Sequence, residues 1–212
     1  MNFKKLFLDH CESEQHEINK NQLDIIKYLE NYYKNNFNQS FLNKFFDKKK
    51  NKLGFYLAGD VGVGKTMILN FFFSKLKKKK LRLHFNEFMI EFHNFIFENK
   101  NNKNGIDSFV KILGKKADII YFDEFQVTNI VDAMILGKLF KIIFEAKIKV
   151  IFSSNIKIND LYKDGLQRDQ FKPFIKVLEN NCYEKKLFIS EDYRSSKNAN
   201  LKRFLFPINK SS

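Results

Sequence analysis

The chain of 212 residues contains no Trp, only two Cys, and only four Arg among 38 basic residues. Cys11 and Cys182 form no C-x-x-C pair. That argues against a disulfide framework or a cysteine zinc site and fits a reducing cytosol, so a cytoplasmic location is expected. No apolar run approaches the roughly 20 residues needed to cross a bilayer. At the start, Leu6 to Leu8 are apolar, but Asp9 and His10 interrupt them at once, unlike a signal peptide. Nor do small residues precede Cys11, as a lipoprotein signal would require. Any membrane association is therefore expected to be peripheral. The missing Trp is offset by 26 Phe, and an apolar fraction of 44% is enough for a real core. The length suits one α/β domain with a small appendage.

The net charge is +14. One reading is an anionic partner such as nucleic acid, a membrane surface or a nucleotide. The plainer one is composition, because Lys is spread along the whole chain together with Asn, Ile and Phe, and the plainer reading is preferred. Against this background the four Arg (Arg82, Arg168, Arg194 and Arg203) are read either as places where a planar, multi-donor guanidinium is needed or, for at least some of them, as chance positions.

What is there is a motif. Gly59 to Thr66 reads GDVGVGKT, directly after the apolar run Leu53 to Ala58. This fits G-x-x-x-x-G-K-[ST], the phosphate-binding loop. Its glycines let backbone N–H groups turn inward around phosphate oxygens, and the helix that follows adds its positive N-terminal end. Gly59, Asp60, Val61, Gly62, Val63, Gly64, Lys65 and Thr66 are thus expected to bind a nucleoside triphosphate. Lys65 would reach the β- and γ-phosphates, and the Thr66 hydroxyl would ligate Mg²⁺.

Strand-like runs lie at Leu53 to Ala58, Leu81 to Phe85, Asp118 to Phe122, Ile148 to Ser153 and Lys185 to Ser190. Helical periodicity covers Gln22 to Tyr33, Met67 to Leu76, Asn86 to Glu98, Asn129 to Ala146 and Gln170 to Asn180. Asn129 is read as the cap of its helix, with Asp132 three residues later. A short helix is expected around Phe41 to Phe46, within a polar connector. Asn99 to Asn104 reads as a solvated loop, and FLFPI at Phe204 to Ile208 as a docking segment. Alternating strands and helices predict a five-stranded, mostly parallel sheet covered on both faces. The expected division is an N-terminal helical segment and connector over 1–50, an ATPase core over 51–194 and a short tail over 195–212.

Ile119 to Glu124 reads IIYFDE, the form of a Walker B strand. Asp123 would hold Mg²⁺ through water at the strand's C-terminal end, and Glu124 would orient or deprotonate the attacking water. IKVIFSSN at Ile148 to Asn155 places Asn155 where it can hold that water too, although Asn also favours a plain strand-end turn. Arg168 lies just before a helix and can serve as an arginine finger on a neighbouring subunit. The competing reading is a surface salt bridge with Asp164. His84 and His93 lie on different elements without ligand spacing, so packing or a polar contact is preferred over a metal.

With these residues in view, the chain resembles the ZapE cell-division ATPases, bacterial relatives of mitochondrial lactation-elevated-type ATPases within the AAA+ class. The resemblance runs from about Asp47 to Arg194. It is carried by GDVGVGKTMILNFFF, HFNEFMIEFH, YFDEFQVTNIVDAMILGKLF and SSNIKINDLYKDGLQRDQFKPFI. It implies a P-loop NTPase fold of AAA+ type with strand order 5-1-4-3-2. It also implies ATP and Mg²⁺ as ligands, ATP hydrolysis, a homo-oligomer and a partner at the division ring. Asn155 would be the first sensor and Arg168 the finger. Asp60 and Val63 depart from the Gly and Arg the family often has inside the loop. Family members also continue into a helical lid bearing a second sensor Arg, whereas 22 residues follow Ser190 here, so a core without its lid is expected. Two other functions stay open: an ATP-dependent nucleic-acid loader or remodeller, and an ATP-gated binding module that hydrolyses little.

Overall fold

A computed structural model describes residues 2–37 and 51–188. Five strands, β1 (Gly54–Gly59), β2 (Lys80–His84), β3 (Ile119–Asp123), β4 (Lys149–Ser154) and β5 (Cys182–Leu187), form one sheet in the order β2-β3-β4-β1-β5. All four pairings are parallel. Read from the other edge, this is the order 5-1-4-3-2. The helices are α1 (Phe3–Ser13), α2 (Lys20–Phe37), α3 (Lys65–Lys75), α4 (Phe85–Glu98), α5 (Gly105–Lys116), α6 (Ile130–Glu145) and α7 (Arg168–Asn181).

Successive strand residues face opposite sides, so each central strand feeds two cores. Tyr56, Ile120, Phe122, Val150 and Phe152 pack under α4 to α7. Phe55, Leu57, Ile119, Tyr121 and Ile151 pack under α1 to α3. Phenylalanine fills the volume that Trp would otherwise supply. The Phe122 ring lies 4.7 Å from Phe88 and 5.7 Å from Phe152, and Phe125 lies 4.8 Å from Phe152. This aromatic cluster sits directly beneath the C-terminal ends of β3 and β4, and it holds them in place.

Three assignments differ from the periodicity. The N-terminal LFLDHC stretch belongs to α1, whose Phe3, Phe7 and Cys11 recur every four residues and are buried. Asn2 caps it by accepting from the Lys5 N–H at 3.0 Å. Helix α5 carries glycines at positions 105 and 114, which weaken the local signal, but Phe109, Val110 and Leu113 still bury one face. Strand β5 begins three residues earlier than its apolar run suggests. As an edge strand it buries only its ends, with Tyr183 to Lys186 half-buried or exposed. The expected helix around Phe41 to Phe46, the FLFPI segment, Arg194 and Arg203 lie outside the described residues. Among the described residues no helix is long and apolar enough to cross a membrane.

Folding also gathers charge that looks uniform along the sequence. Lys77, Lys78, Lys79, Lys115, Lys116 and Lys147 are all exposed and lie just before β2, β3 and β4. Backbone bonds stitch these approaches together. The Lys79 carbonyl accepts from Asp118 N–H at 2.8 Å, and the Asp118 carbonyl accepts from Lys149 N–H at 3.0 Å. In a parallel sheet this end is opposite the C-terminal ends where ligands bind.

Candidate functional site

Residues 60–64 turn the chain from β1 into α3. Gly62 and Gly64 take φ of 81° and 94°, the left-handed region that favours glycine, and Gly64 is the N-cap of α3. Gly59 has a different reason: a Cβ there would run into the carbonyl oxygen of Leu187 on β5. Val63 points inward, 2% exposed, and packs with the α1–α3 core. An apolar residue at this position therefore anchors the loop. Asp60 and Val61 are exposed on its outer rim.

Lys65 is only 7% exposed, and its ammonium donates to three oxygens. These are the carbonyls of Gly59 and Asp60, both at 2.7 Å, and Oδ1 of Asn155 at 2.9 Å. All three of its donors are engaged. Burial lowers the pKa of this ammonium below the usual lysine value, against the opposing pull of Asp60 and Asp123.

Asn155 is placed by its neighbours. Ser154 Oγ donates to the Phe125 carbonyl at 2.7 Å and accepts from Ile156 N–H at 3.1 Å. The Tyr56 hydroxyl on β1 donates to the Ile156 carbonyl at 2.7 Å, and Glu184 on β5 accepts from Ile158 N–H at 2.8 Å. Side chains from three strands thus hold the turn that carries Asn155.

Asp123 ends β3 and is 4% exposed. Its Oδ2 accepts from Arg82 Nη2 at 2.6 Å. Its Oδ1 accepts from the Tyr121 hydroxyl at 3.1 Å and from the Glu124 N–H at 3.2 Å. Burial and the adjacent Asp123 carboxylate raise the Tyr121 pKa, so the phenol stays protonated and donating. Glu124 has φ of 52°, a conformation that costs a non-glycine residue of order 1–3 kcal/mol. The Phe125 N–H then donates to the Ser153 carbonyl at 2.7 Å, which holds the turn and leaves the Glu124 side chain exposed.

Val61, Gly62, Lys65, Thr66, Asp123, Glu124 and Asn155 line one cavity of about 230 Å³. The cavity sits at the C-terminal ends of β1, β3 and β4. Two exposed hydroxyl or carboxylate groups in it, Thr66 and Glu124, join the buried Asp123 as hard oxygen donors, and this set suits Mg²⁺. Left-handed glycines, a helix N-terminus and a buried ammonium together suit a triphosphate.

Arg168 is not part of this cavity lining. It is the first residue of α7 rather than a residue before it, and its guanidinium donates to the Asn159 carbonyl at 2.7 Å instead of pairing with Asp164. His93 Nε2 meets Asp132 Oδ1 at 2.6 Å and links α4 to α6. Asp132 is thereby used away from the cap, where Asn129 alone accepts from Val131 N–H.

The contact that sequence reasoning missed is Arg82 on Asp123. Its only signal was the scarcity of Arg. Tyr121 was legible in principle, because it shares the Asp123 face of β3 two residues away.

The AFG1-like ATPase family model matches residues 4–212. Lactation elevated protein 1 homolog B of Danio rerio is 38% identical over 154 residues, 67% of this chain and 31% of that protein. Cell division protein ZapE of Escherichia coli K12 is 35% identical over 142 residues, 66% of this chain and 38% of that protein. The chain thus spans less than half the length of these curated relatives. Among solved structures, a DnaC helicase loader aligns with a TM-score of 0.55 at 14% identity, covering 82% of this chain and 93% of that one. AMPPCP-bound DnaA from Aquifex aeolicus aligns with a TM-score of 0.54 at 16% identity, covering 93% of this chain and 56% of that one. At these identities the likeness is one of fold.

Proposed function

The chain belongs to the AFG1-like ATPase family, and from that premise we propose that it binds ATP with Mg²⁺ and hydrolyses it at the cavity described above. The observation that carries this reading is the convergence of Lys65, Thr66, Asp123, Glu124 and Asn155 on one cavity from three separate segments.

Each residue has a task that its position suits. The loop from Gly59 to Thr66 wraps the phosphates, and Lys65 exchanges its carbonyl partners for phosphate oxygens. Thr66 and Asp123 would hold the metal, which when bound would supply positive charge against the phosphates. Glu124 takes a proton from water, or orients it, just past the C-terminal end of β3. Asn155, already bonded to Lys65, fixes that water from β4. Arg168 lies outside the cavity of its own chain, which suits a role at the cavity of a neighbouring copy. A homo-oligomer follows from that role. A place near the division ring and a cytoplasmic location rest on the likeness to ZapE.

The test is Mg²⁺-dependent phosphate release measured against protein concentration. Activity per chain should rise steeply as copies assemble, and Arg168→Ala should remove most of that rise while leaving nucleotide affinity unchanged. Constant activity per chain from a proven monomer would rule out the shared site. Nucleotide binding without phosphate release would instead favour an ATP-gated binding module.

A second reading, ATP-dependent action on nucleic acid, is favoured by the lysines gathered before β2, β3 and β4. It predicts binding to single-stranded DNA that weakens steeply with salt, and replacing Lys77, Lys78 and Lys79 by Gln should flatten the log–log slope by about 2. Binding insensitive to salt, or none at all, removes this reading.

A further inference from the structure

Asp123 already has a cationic partner in its own chain. Its carboxylate is 6% exposed as a side chain, and Arg82 holds Oδ2 at 2.6 Å. A buried carboxylate left without a cation is costly, so some positive charge has to stand beside it. Lys65 does not make that contact, because its three donors go to Gly59, Asp60 and Asn155. Arg82 does, and it reaches the carboxylate from the solvent side. Its side chain is 44% exposed on β2, an edge strand of the sheet. It lies over the Tyr121 ring with Cζ 5.4 Å from the centroid. Among the described residues, Asp123 is the hydrogen-bond partner the structure gives it.

We infer that Arg82 is a displaceable counter-ion for Asp123, competing with Mg²⁺ for the same carboxylate and released when Mg·nucleotide binds. This rests on the ATP- and Mg²⁺-binding reading above. The reason is electrostatic. A divalent cation at Asp123 and a guanidinium in contact with the same carboxylate repel each other. The tyrosine hydroxyl and the Glu124 N–H on Oδ1 are neutral and can stay. Tyr121 therefore keeps the carboxylate oriented while its cation changes. The half-exposed arginine is the group free to leave, swinging off the Tyr121 face toward solvent. Binding of metal at β3 then changes the charge presented by the β2 edge, a signal of nucleotide state that does not need hydrolysis.

The experiment titrates Mg²⁺ against the full chain with a fluorescent ATP analogue and reads the Mg²⁺ concentration at half-maximal binding. Arg82→Gln should lower that concentration roughly 5- to 10-fold, because the competitor is gone. The same variant should melt at a lower temperature than the parent without nucleotide, and the gap should narrow with saturating Mg²⁺ and analogue. Arg82→Lys keeps the charge and should stay near the parent in the Mg²⁺ titration. An unchanged or higher half-saturating Mg²⁺ in Arg82→Gln overturns the inference and makes Arg82 a fixed brace. A Lys variant shifted as far as the Gln variant overturns competition by charge. If the parent chain binds the analogue with no dependence on Mg²⁺, the inference falls together with the functional reading. If the parent depends on Mg²⁺ but the Gln variant matches it, the inference falls alone.

Discussion

Glu124→Gln is expected to bind ATP as tightly as the parent chain and to hydrolyse it about 10²- to 10⁴-fold more slowly, the range for a lost general base. The substitution keeps the size and the hydrogen-bonding reach of the side chain while removing its ability to accept a proton. The local fold should survive it. The turn at Glu124 is held by main-chain N–H groups, with the Glu124 N–H on Asp123 Oδ1 and the Phe125 N–H on the Ser153 carbonyl. The Glu124 carboxylate is exposed and carries none of that load. Single-turnover phosphate release beside equilibrium binding of a fluorescent ATP analogue separates the two effects. Normal turnover in Glu124→Gln would remove the residue from the reaction and point to Asn155 or an unassigned group as the water's partner.

Lys65→Ala is expected to weaken ATP binding by at least about 100-fold, close to 3 kcal/mol, the scale of losing one or two hydrogen bonds to a charged phosphate. The same change leaves the Gly59 and Asp60 carbonyls and Asn155 Oδ1 without the donor they share. Asn155 should then lose its fixed place, so residual turnover at saturating ATP should fall as well. The parent chain offers a second check on the same group. Burial lowers the Lys65 pKa below the usual lysine value. Affinity for ATP should therefore hold at neutral pH, where the ammonium is charged. It should begin to decline at a less alkaline pH than an ordinary lysine would give, as the proton leaves. Isothermal titration across pH 7 to 10 reads this directly, and Lys65→Arg should shift the decline upward, because a guanidinium does not deprotonate in that range. Affinity in Lys65→Ala within a few-fold of the parent would contradict the phosphate role.

Several parts of this site were legible because they depend on local rules. A glycine loop between an apolar strand and an apolar helix has few other uses, so Gly59 to Thr66 stood out, and the left-handed φ at Gly62 and Gly64 is the local reason. IIYFDE placed Asp123 at a strand end because four apolar residues followed by acids mark where a buried strand stops, with Asp123 still buried and Glu124 exposed. The edge elements were less legible. Strand β5 buries little, so its polar middle hid its start. Helix α5 has a weak intrinsic preference and exists by packing Phe109, Val110 and Leu113 against its neighbours.

The sequence by itself determined the alternation of strands and helices and the phosphate loop, since spacing along one chain encodes both, and the family resemblance rested on longer stretches such as FDEFQVTNIVDAMIL. The tertiary structure alone decided what stands next to Asp123. Arg82 and Asp123 are 41 residues apart, and they meet only because β2 and β3 pair in parallel, placing Arg82 opposite Tyr121 and His84 opposite Asp123. The same folding brought Asn155 to Lys65 across 90 residues and collected lysines that were scattered in sequence onto the end of the sheet away from the cavity. Register and strand order create those neighbours, and neither can be read from the composition of any one segment.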